Sequence, residues 1–193
     1  MTRLDELLQQ YCPDGVEYKK LGEIACIKRG VRVVRKQLTQ GGKYVVYQNS
    51  LTPLGFYDQF NCNGNTVFII AAGAAGEIGY SLNNFWAADD CFYFLCPENL
   101  NSRYLYHVLL NLQKDISSKV RKASIPRISR KSIEWLVVPF PPLPVQEEIV
   151  RILDRFDSLC NDLIAGLPAE IEARQKQYEY YRDKLLTFEE NKC

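Results

Sequence analysis

The chain has 193 residues, which is enough for one globular domain of ordinary size and an additional extended element. Its hydrophobic content of 47% and charged content of 24% are typical of a soluble folded protein and exclude a largely disordered chain. No run of about 18 apolar residues occurs, so the sequence predicts no membrane span. The first residues also lack the apolar core of a secretory signal. A net charge of +1 gives no indication for or against nucleic-acid binding.

The cysteines and the lone histidine argue against a metal site. The seven cysteines are an odd number, they are scattered, and none of them forms a C-x-x-C pair. The single histidine, His107, adds little to a zinc site, so no metal ligands are predicted. Reduced cysteines in a cytoplasmic protein are the expected state.

Residues 1–140 predict an α+β head with a mixed β-sheet and short helices. Residues 2–11 predict a first short helix, which a Pro-Asp-Gly turn ends. From residue 18 to residue 96 the pattern is typical of strands. The strand-like runs, rich in β-branched and aromatic residues, are residues 31–34, 44–47, 66–71 and 91–95. Later elements are a helix over residues 102–114, a helical turn after Ser129 and a last strand over residues 136–138.

Residues 141–193 predict a long helical arm. Apolar or large residues recur every three or four positions from Ile149 to Phe188, which is the spacing of a coiled-coil seam. Pro168 interrupts the pattern, and an interior proline costs a regular helix about 3 kcal/mol. Because the apolar phase continues past this proline, we expect a kink with the two halves roughly collinear. A helix of about 43 residues would span about 65 Å, far more than the head needs for its own core.

The arm has no partner of equal length elsewhere in the chain, so we expect it to pair with another copy or another subunit. The seam residues predicted to form a dimer interface are Phe156, Leu163, Leu167, Ile171, Tyr178, Tyr181 and Leu185.

Motifs that resemble catalytic sites do not have the geometry that catalysis needs. The acids and lysine of residues 14–19 lie in one turn, whereas metal-dependent nucleases usually place the two acids on successive strands. The glycines of residues 73–79 match neither a dinucleotide fingerprint nor a P-loop, and they are expected to permit a tight turn or close backbone approach or, alternatively, close approach to a DNA backbone. Asp89 and Asp90 are adjacent, and adjacent residues of a strand point to opposite faces. His107 lies in a predicted helix without a plausible nucleophile and is expected to be structural. The chain is therefore predicted not to be an enzyme.

Two segments concentrate positive charge. One spans residues 28–36, and the other spans residues 119–131 without any acidic residue. A local basic face on a neutral protein is compatible with phosphate contact, and it is equally compatible with ordinary solvated surface.

With these features in view, the chain resembles the DNA specificity (S) subunit of type I restriction–modification systems. The longest similar segments are residues 139–147 (PFPPLPVQE), 149–154 (IVRILD), 166–174 (GLPAEIEAR) and 177–186 (QYEYYRDKLL). Shorter segments that resemble the target recognition domains of that family are residues 21–24 (LGEI), 47–50 (YQNS) and 123–130 (ASIPRISR). Together they cover nearly the whole chain.

The resemblance implies a division of labour. The head would be a target recognition domain that reads half of a split sequence in double-stranded DNA. The arm would be a spacer and a docking platform for the methyltransferase (M) subunit, with the restriction (R) subunit as a further partner. No cofactor is expected on this chain, because S-adenosylmethionine would be bound by the M subunit. A full S subunit has two recognition domains and two such helices, whereas this chain has one of each. The resemblance therefore implies a homodimer with antiparallel arms that reads an inverted repeat.

Sequence reading needs hydrogen-bonding side chains at base edges and cations at phosphates. The predicted DNA-contacting residues are Lys28, Arg29, Arg32, Arg35, Lys36, Gln48, Asn49, Arg121, Lys122, Ser124, Arg127 and Arg130. Those predicted to reach bases or a groove are Arg32, Arg35, Gln48, Asn49 and Arg127, and the other cations are predicted to contact phosphates. Gly30 would permit close approach along a basic strand or hairpin over residues 28–36. Alternatively, Gln48 and Asn49 only cap a turn.

Two other readings remain open at this point. The chain could be a coiled-coil scaffold whose head binds a protein, or a DNA-modifying enzyme whose active site is not recognisable. The acid-free basic segment favours DNA over the scaffold, and the absence of catalytic motifs disfavours the enzyme.

Overall fold

The computed structural model describes residues 2–163 and 168–188. The helices within these residues are α1 (Arg3–Tyr11), α2 (Leu21–Ile24), α3 (Ser102–Asn111), α4 (Gln113–Ser118), α5 (Arg130–Glu134), α6 (Leu143–Leu163) and α7 (Pro168–Leu186). The strands are β1 (Tyr18–Lys20), β2 (Cys26–Arg29), β3 (Tyr44–Tyr47), β4 (Gly55–Tyr57), β5 (Thr66–Ile70), β6 (Ile78–Ser81), β7 (Phe85–Ala87), β8 (Cys91–Leu95) and β9 (Val137–Pro139). The predicted α+β class is confirmed.

The strands form three sheets. The main sheet is antiparallel in the order β2-β8-β5-β6, and the small sheet has the order β4-β3-β7, with β3 and β7 parallel. Strands β1 and β9 form a separate antiparallel pair. None of the helices in the described ranges is long and apolar enough to cross a membrane.

Strand β5 is buried along its whole length because both of its faces are covered. Val67 and Ile69 belong to the main hydrophobic core, to which α3 also contributes. Phe68 belongs to a second cluster between the main and small sheets, where its ring lies 5.2 Å from that of Phe85. Alternating side chains point to opposite faces of a strand, so the continuous apolar run of β5 serves two cores.

The strand expected over residues 31–34 is wrong. The chain there forms a loop, followed by a short 3₁₀ helix over Arg35–Gln37. Val33 is buried against Val46 and Ala88, so it packs the loop onto the small sheet. The outer edge of β7 bonds mainly to Asn61 and Cys62, and the loop adds one backbone hydrogen bond there, from Val31 N–H to the carbonyl of Ala87.

Helix α6 begins inside the core of the head. Val145, Ile149 and Leu153 are fully buried there, in the same cluster as residues of α1, α3 and the main sheet. The residues that sequence analysis assigns to the arm therefore contribute a buried face to the head.

Helix α7 packs antiparallel to α6 instead of continuing it. The rings of Phe156 and Tyr181 stack at a centroid distance of 5.2 Å, and Leu186 is buried in the core of the head. The hydroxyl of Tyr18 bonds both the backbone N–H and the carbonyl oxygen of Phe188, which fixes the end of α7 beside β1. The expected collinear arrangement is wrong for the single chain, because the aromatic face of α7 finds its partners on the chain's own α3 and α6.

The predicted seam residues have different positions in this arrangement. Leu167 lies outside the described residues, and the side chains of Leu163 and Ile171 are not described. Leu185 is half-buried and packs against the main core. Whether this face pairs two copies remains a prediction.

A polar network joins α3 to both long helices. Oδ1 of Asp154 accepts hydrogen bonds from Nε2 of His107 and Nε of Arg103, both at 2.8 Å. The hydroxyl of Tyr178 lies 3.4 Å from Nδ1 of His107, where it can donate to the neutral ring. Burial alone would raise the pKa of Asp154, but these hydrogen bonds outweigh it and hold the pKa below the ordinary 3.8. His107 therefore has the structural role that the sequence predicts.

Candidate nucleic-acid interface

One edge of the fold gathers the ends of strands from both larger sheets. Strands β2 and β5 end there at Arg29 and Ile70, β8 begins there at Cys91, and β3 ends beside them at Tyr47. We call this the strand-end surface and define it as residues 29–30, 47–49, 71–74 and 88–91.

Backbone hydrogen bonds hold the strand-end surface together. Gly30 N–H donates to the carbonyl of Cys91 at 3.0 Å, and Ala71 N–H donates to that of Asp90 at 2.6 Å. Ala88 N–H donates to the carbonyl of Tyr47 at 2.9 Å, which extends the pairing of β7 with β3, and the Cys91 thiol donates to the same carbonyl at 3.4 Å, which joins β8 of the main sheet to β3 of the small one. The segments that follow the strands therefore occupy fixed positions relative to one another.

The second basic segment, residues 119–131, packs against this surface and is called the basic loop. Arg121 and Arg127 exchange backbone hydrogen bonds of 2.8 and 3.2 Å, which closes the loop through an isolated antiparallel bridge. Ile128 N–H donates to the carbonyl of Ala71, which directly follows β5, so this hydrogen bond attaches the basic loop to the end of that strand. Residues far apart in the sequence thus become neighbours.

Gln48 and Asn49 are held by their backbones while their side chains remain available. The carbonyl of Gln48 accepts a hydrogen bond from the Cys91 thiol at 3.1 Å, and that of Asn49 accepts one from Ala74 N–H at 2.8 Å. Burial raises the pKa of Cys91 to about 12, so this thiol keeps its proton for donation. Within the described residues neither amide side chain bonds to the protein, and that of Asn49 is exposed.

Three of the predicted arginines line one cavity of about 390 Å³ beside the strand-end surface. Arg29 reaches it from β2, and Arg127 and Arg130 reach it from the basic loop. Nε of Arg130 donates to Oε1 of Glu134 at 2.7 Å, so part of its charge is compensated. The carboxylate-bearing Asp90 also lines the cavity. An anionic ligand here would meet more positive than negative charge.

The other predicted cations, together with Arg127 of the cavity, are exposed and carry no ion pair within the described residues. Among the described residues, ion pairs are absent from the side chains of Lys28, Arg32, Arg35, Lys36, Arg121, Lys122 and Arg127. Such cations can contact phosphates without first breaking an internal interaction. Ser124 is exposed on the basic loop between them.

The first basic segment is not the strand or hairpin that the sequence predicts. Strand β2 ends at Arg29, and the chain then crosses to the small sheet, where Val31 N–H donates to the carbonyl of Ala87 at 2.9 Å. Arg32, Arg35 and Lys36 follow on this side, and within the described residues no hydrogen bond or ion pair joins them to the basic loop.

The structure shows a role for Gly30 within the chain, and its expected approach to DNA stays a prediction. A Cβ atom at this position would overlap the carbonyl oxygens of Ala87 and Ala88. Gly30 therefore permits a close approach between two segments of its own chain, at the point where β2 leaves the main sheet.

Sequence reasoning missed Asp90 as a neighbour of the arginines. Asp90 meets Arg29 only because β2 and β8 pair antiparallel, with Arg29 opposite Phe92. No local signal in the sequence gives that register. In the described ranges, no group of three or more histidine, cysteine, aspartate or glutamate side chains is arranged to hold a metal ion.

Comparison with known proteins gives a consistent result. Residues 13–173 match the family model described as the type I restriction modification DNA specificity domain. The chain is 31% identical over 172 residues to the type I restriction enzyme MpnII specificity subunit of Mycoplasma pneumoniae. The aligned region covers 86% of this chain and 51% of that protein. It is 44% identical over 93 residues to the EcoR124I/EcoR124II specificity subunit of Escherichia coli, covering 47% and 23%.

The fold has a solved counterpart. A type I restriction-modification S subunit from M. genitalium superposes with a TM-score of 0.70 at 21% identity, over 78% of this chain and 41% of that one. The chain spans about half the length of the relatives that it matches.

Proposed function

Because this chain belongs to the type I restriction–modification DNA specificity family, we propose that it reads one half of a split DNA target and carries no catalytic residue itself. The observation that carries this proposal is the convergence at the strand-end surface. Asn49 and the arginines of the cavity come from distant segments, yet they lie on one fixed surface. Amide and guanidinium groups are the side chains that read adenine and guanine in the major groove.

The proposal divides the polar side chains by role. Gln48, Asn49 and Arg127 would contact base edges, and Arg32 and Arg35 would reach a groove from the side of the small sheet. The cations that would neutralise phosphates are Lys28, Arg29, Lys36, Arg121, Lys122 and Arg130. Phosphate contacts position a protein on DNA, whereas base contacts select the sequence.

The helical region would connect the reading head to the rest of the complex. In this proposal residues 1–140 form the target recognition domain, and residues 141–193 form the arm that docks the M subunit and, through it, the R subunit. The M subunit would supply S-adenosylmethionine and the methyl transfer.

We further propose that two copies pair through their arms. The stacking of Tyr181 on Phe156 and the contact of Tyr178 with His107 are made within one chain. A second copy could offer the same surfaces, so that each chain's α7 packs on the other's α3 and α6. Exchange of an identical element creates a dimer at low cost, because the contacts are already optimised. The exchanged arms would run antiparallel as a coiled coil, with a reading head at each end.

The DNA-binding part is tested with a random-sequence duplex of about 40 base pairs. At low salt the protein should bind it, and the logarithm of the binding constant should fall linearly with the logarithm of the salt concentration, by about 0.9 for each phosphate neutralised. Selection from a random duplex library should then enrich one motif. Absence of binding at low salt would contradict the proposal.

The pairing mode is tested by mixing two variants, Phe156→Cys and Tyr181→Cys, and oxidising them. More disulfide-linked dimer should form in the mixture than in either variant alone, because the stacked rings place α6 and α7 side by side at these two positions. Each variant oxidised alone is the matched control. A particle that keeps the mass of a single 22.3 kDa chain at micromolar concentration would contradict pairing.

A further inference from the structure

We propose that Gly73 is a positioning residue that fixes the spacing between Asn49 and Arg127, and so sets the register in which the two side chains meet the bases. This inference rests on the proposed function, since it concerns the same surface. Gly73 itself touches no DNA in this account and acts through its neighbours.

Gly73 has a backbone conformation that other residues rarely adopt. Its φ angle is +90°, in the region where a side chain is strained. A Cβ atom at this position would lie 2.6 Å from the carbonyl oxygen of Asn49 and 2.9 Å from its Cβ atom. The backbone of Gly73 therefore packs directly on Asn49, with no room for even a methyl group.

Two successive N–H groups, those of Gly73 and Ala74, form hydrogen bonds to the basic loop and to Asn49. Gly73 N–H donates to the carbonyl of Pro126 at 3.1 Å, and Ala74 N–H donates to that of Asn49 at 2.8 Å. One bond thus holds the basic loop immediately before Arg127, and the other holds the Asn49 segment.

These bonds make residues 71–74 the bridge between the two segments. Among the described residues, no hydrogen bond joins Asn49 directly to the basic loop, and both segments bond to residues 71–74. Ala72 also pairs with Arg127 in an isolated antiparallel bridge. The relative position of Asn49 and Arg127 is therefore set by the conformation of this short segment.

A displaced bridge should affect base reading more than phosphate binding. Hydrogen bonds weaken steeply when distance or angle departs from the optimum, so two base contacts need a fixed spacing. Phosphate contacts depend on the number of cations and tolerate small shifts. A methyl group at Gly73 must push Asn49 away, and the predicted loss is therefore one of sequence preference.

The test compares Gly73→Ala with Gly41→Ala. Gly41 also has a positive φ, +76°, but a Cβ atom there would meet nothing within 4 Å. The control therefore carries the same kind of backbone strain without the collision. Binding is measured by anisotropy for two duplexes: one selected by the unmodified protein from a random library, and a shuffled version of it.

Gly73→Ala should lower the preference for the selected duplex by about tenfold or more, the worth of one good base contact. Its affinity for the shuffled duplex should stay within about twofold of that of the unmodified protein, because phosphate contacts tolerate small shifts. The slope of its binding constant against salt concentration should be unchanged for the same reason. Gly41→Ala should keep the preference. A folded Gly73→Ala protein that keeps full preference overturns the positioning role. If the unmodified protein itself shows no preference, the proposed function fails, which is a separate result.

Two further variants separate positioning from general damage. Asn49→Ala alone should reduce the preference for the selected duplex. In the double variant with Gly73→Ala the preference should be little lower than in Gly73→Ala alone. A double variant whose loss equals the product of the two single losses would contradict the proposal. If Gly73→Ala does not fold, Pro126→Gly loosens the same junction without a collision. It should also lower preference, and an unchanged preference in that folded variant overturns the proposal.

Discussion

Replacing Arg127 by alanine tests the assignment of the basic loop to base reading. The backbone of Arg127 is secured by its two hydrogen bonds with Arg121, and the bridge to Ala72 adds support. Its side chain is exposed and forms no ion pair within the described residues. The substitution should therefore change the free energy of unfolding by no more than about 0.5 kcal/mol.

The expected loss in binding is much larger than the loss in stability. A guanidinium that reads a guanine contributes about 1–3 kcal/mol of discrimination. At about 1.4 kcal/mol per factor of ten, this corresponds to a preference reduced by about 5- to 140-fold. A guanidinium that contacts only a phosphate would instead lower the affinity for every duplex equally and reduce the salt slope by about 0.9.

The assay is equilibrium binding to the selected duplex and to its shuffled version across a range of salt concentrations. Arg155→Ala is the matched control, since Arg155 is an exposed arginine on α6. Arg127→Ala should lose binding to the selected duplex and retain most of its binding to the shuffled one. Equal losses on both duplexes would refute base reading by Arg127 and leave it a phosphate contact.

Three further predictions concern stability and reactivity. Leu153→Ala should lower the free energy of unfolding by about 2–5 kcal/mol in urea titrations, because Leu153 is fully buried. Leu159→Ala, on the same helix but 39% exposed, should lower this free energy clearly less. Equal decreases in the two variants would contradict the burial of α6 in the core at Leu153. The pKa of Asp154 is lowered in the folded protein, so its contribution is complete above pH 3.8 and is lost as the pH falls through the lower folded value. Urea unfolding at pH 7 and pH 2.5 should show a smaller acid-induced loss for Asp154→Asn, and parallel losses would contradict this. At pH 8 a thiol reagent should modify the exposed Cys26 quickly and Cys91 only on unfolding, since burial raises the pKa of Cys91 to about 12; similar rates would contradict its burial.

Strand β5 shows what local sequence can predict. Residues 66–70 are a continuous run of β-branched and aromatic residues, and such a run is typical of a strand covered on both faces. Residues 31–34 have a similar composition, yet they form a loop. The difference lies in pairing, because the outer edge of β7 bonds to Asn61 and Cys62 and leaves residues 31–34 a single backbone hydrogen bond to the sheet, from Val31 to Ala87.

The helical region shows what a periodic pattern leaves open. Apolar residues every three or four positions show that one face of a helix is covered. The pattern does not say whether the cover is a second copy or the chain itself. In the single chain Tyr181 stacks on Phe156, so the same residues that predict an arm also suit a helical hairpin.

The sequence predicts which residue types belong to the candidate site. It does not predict which of these residues the fold brings together. The cations and amides stand out in the sequence because they lie in acid-free or strand-end positions. Their convergence depends on the pairing of β2 with β8 and on the path of residues 71–74 between Asn49 and Pro126. Both are properties of the tertiary fold, which local pattern does not encode.

The most direct test of the central claim is methylation sequencing of DNA from cells that express this chain together with an M subunit of a type I system. The proposed pairing predicts one methylated motif made of two identical half-sites, inverted and separated by a spacer of constant length. A substitution at Asn49 or Arg127 should change the bases methylated in both half-sites at once. An unchanged methylation pattern with and without this chain would contradict the claim that it selects the DNA sequence.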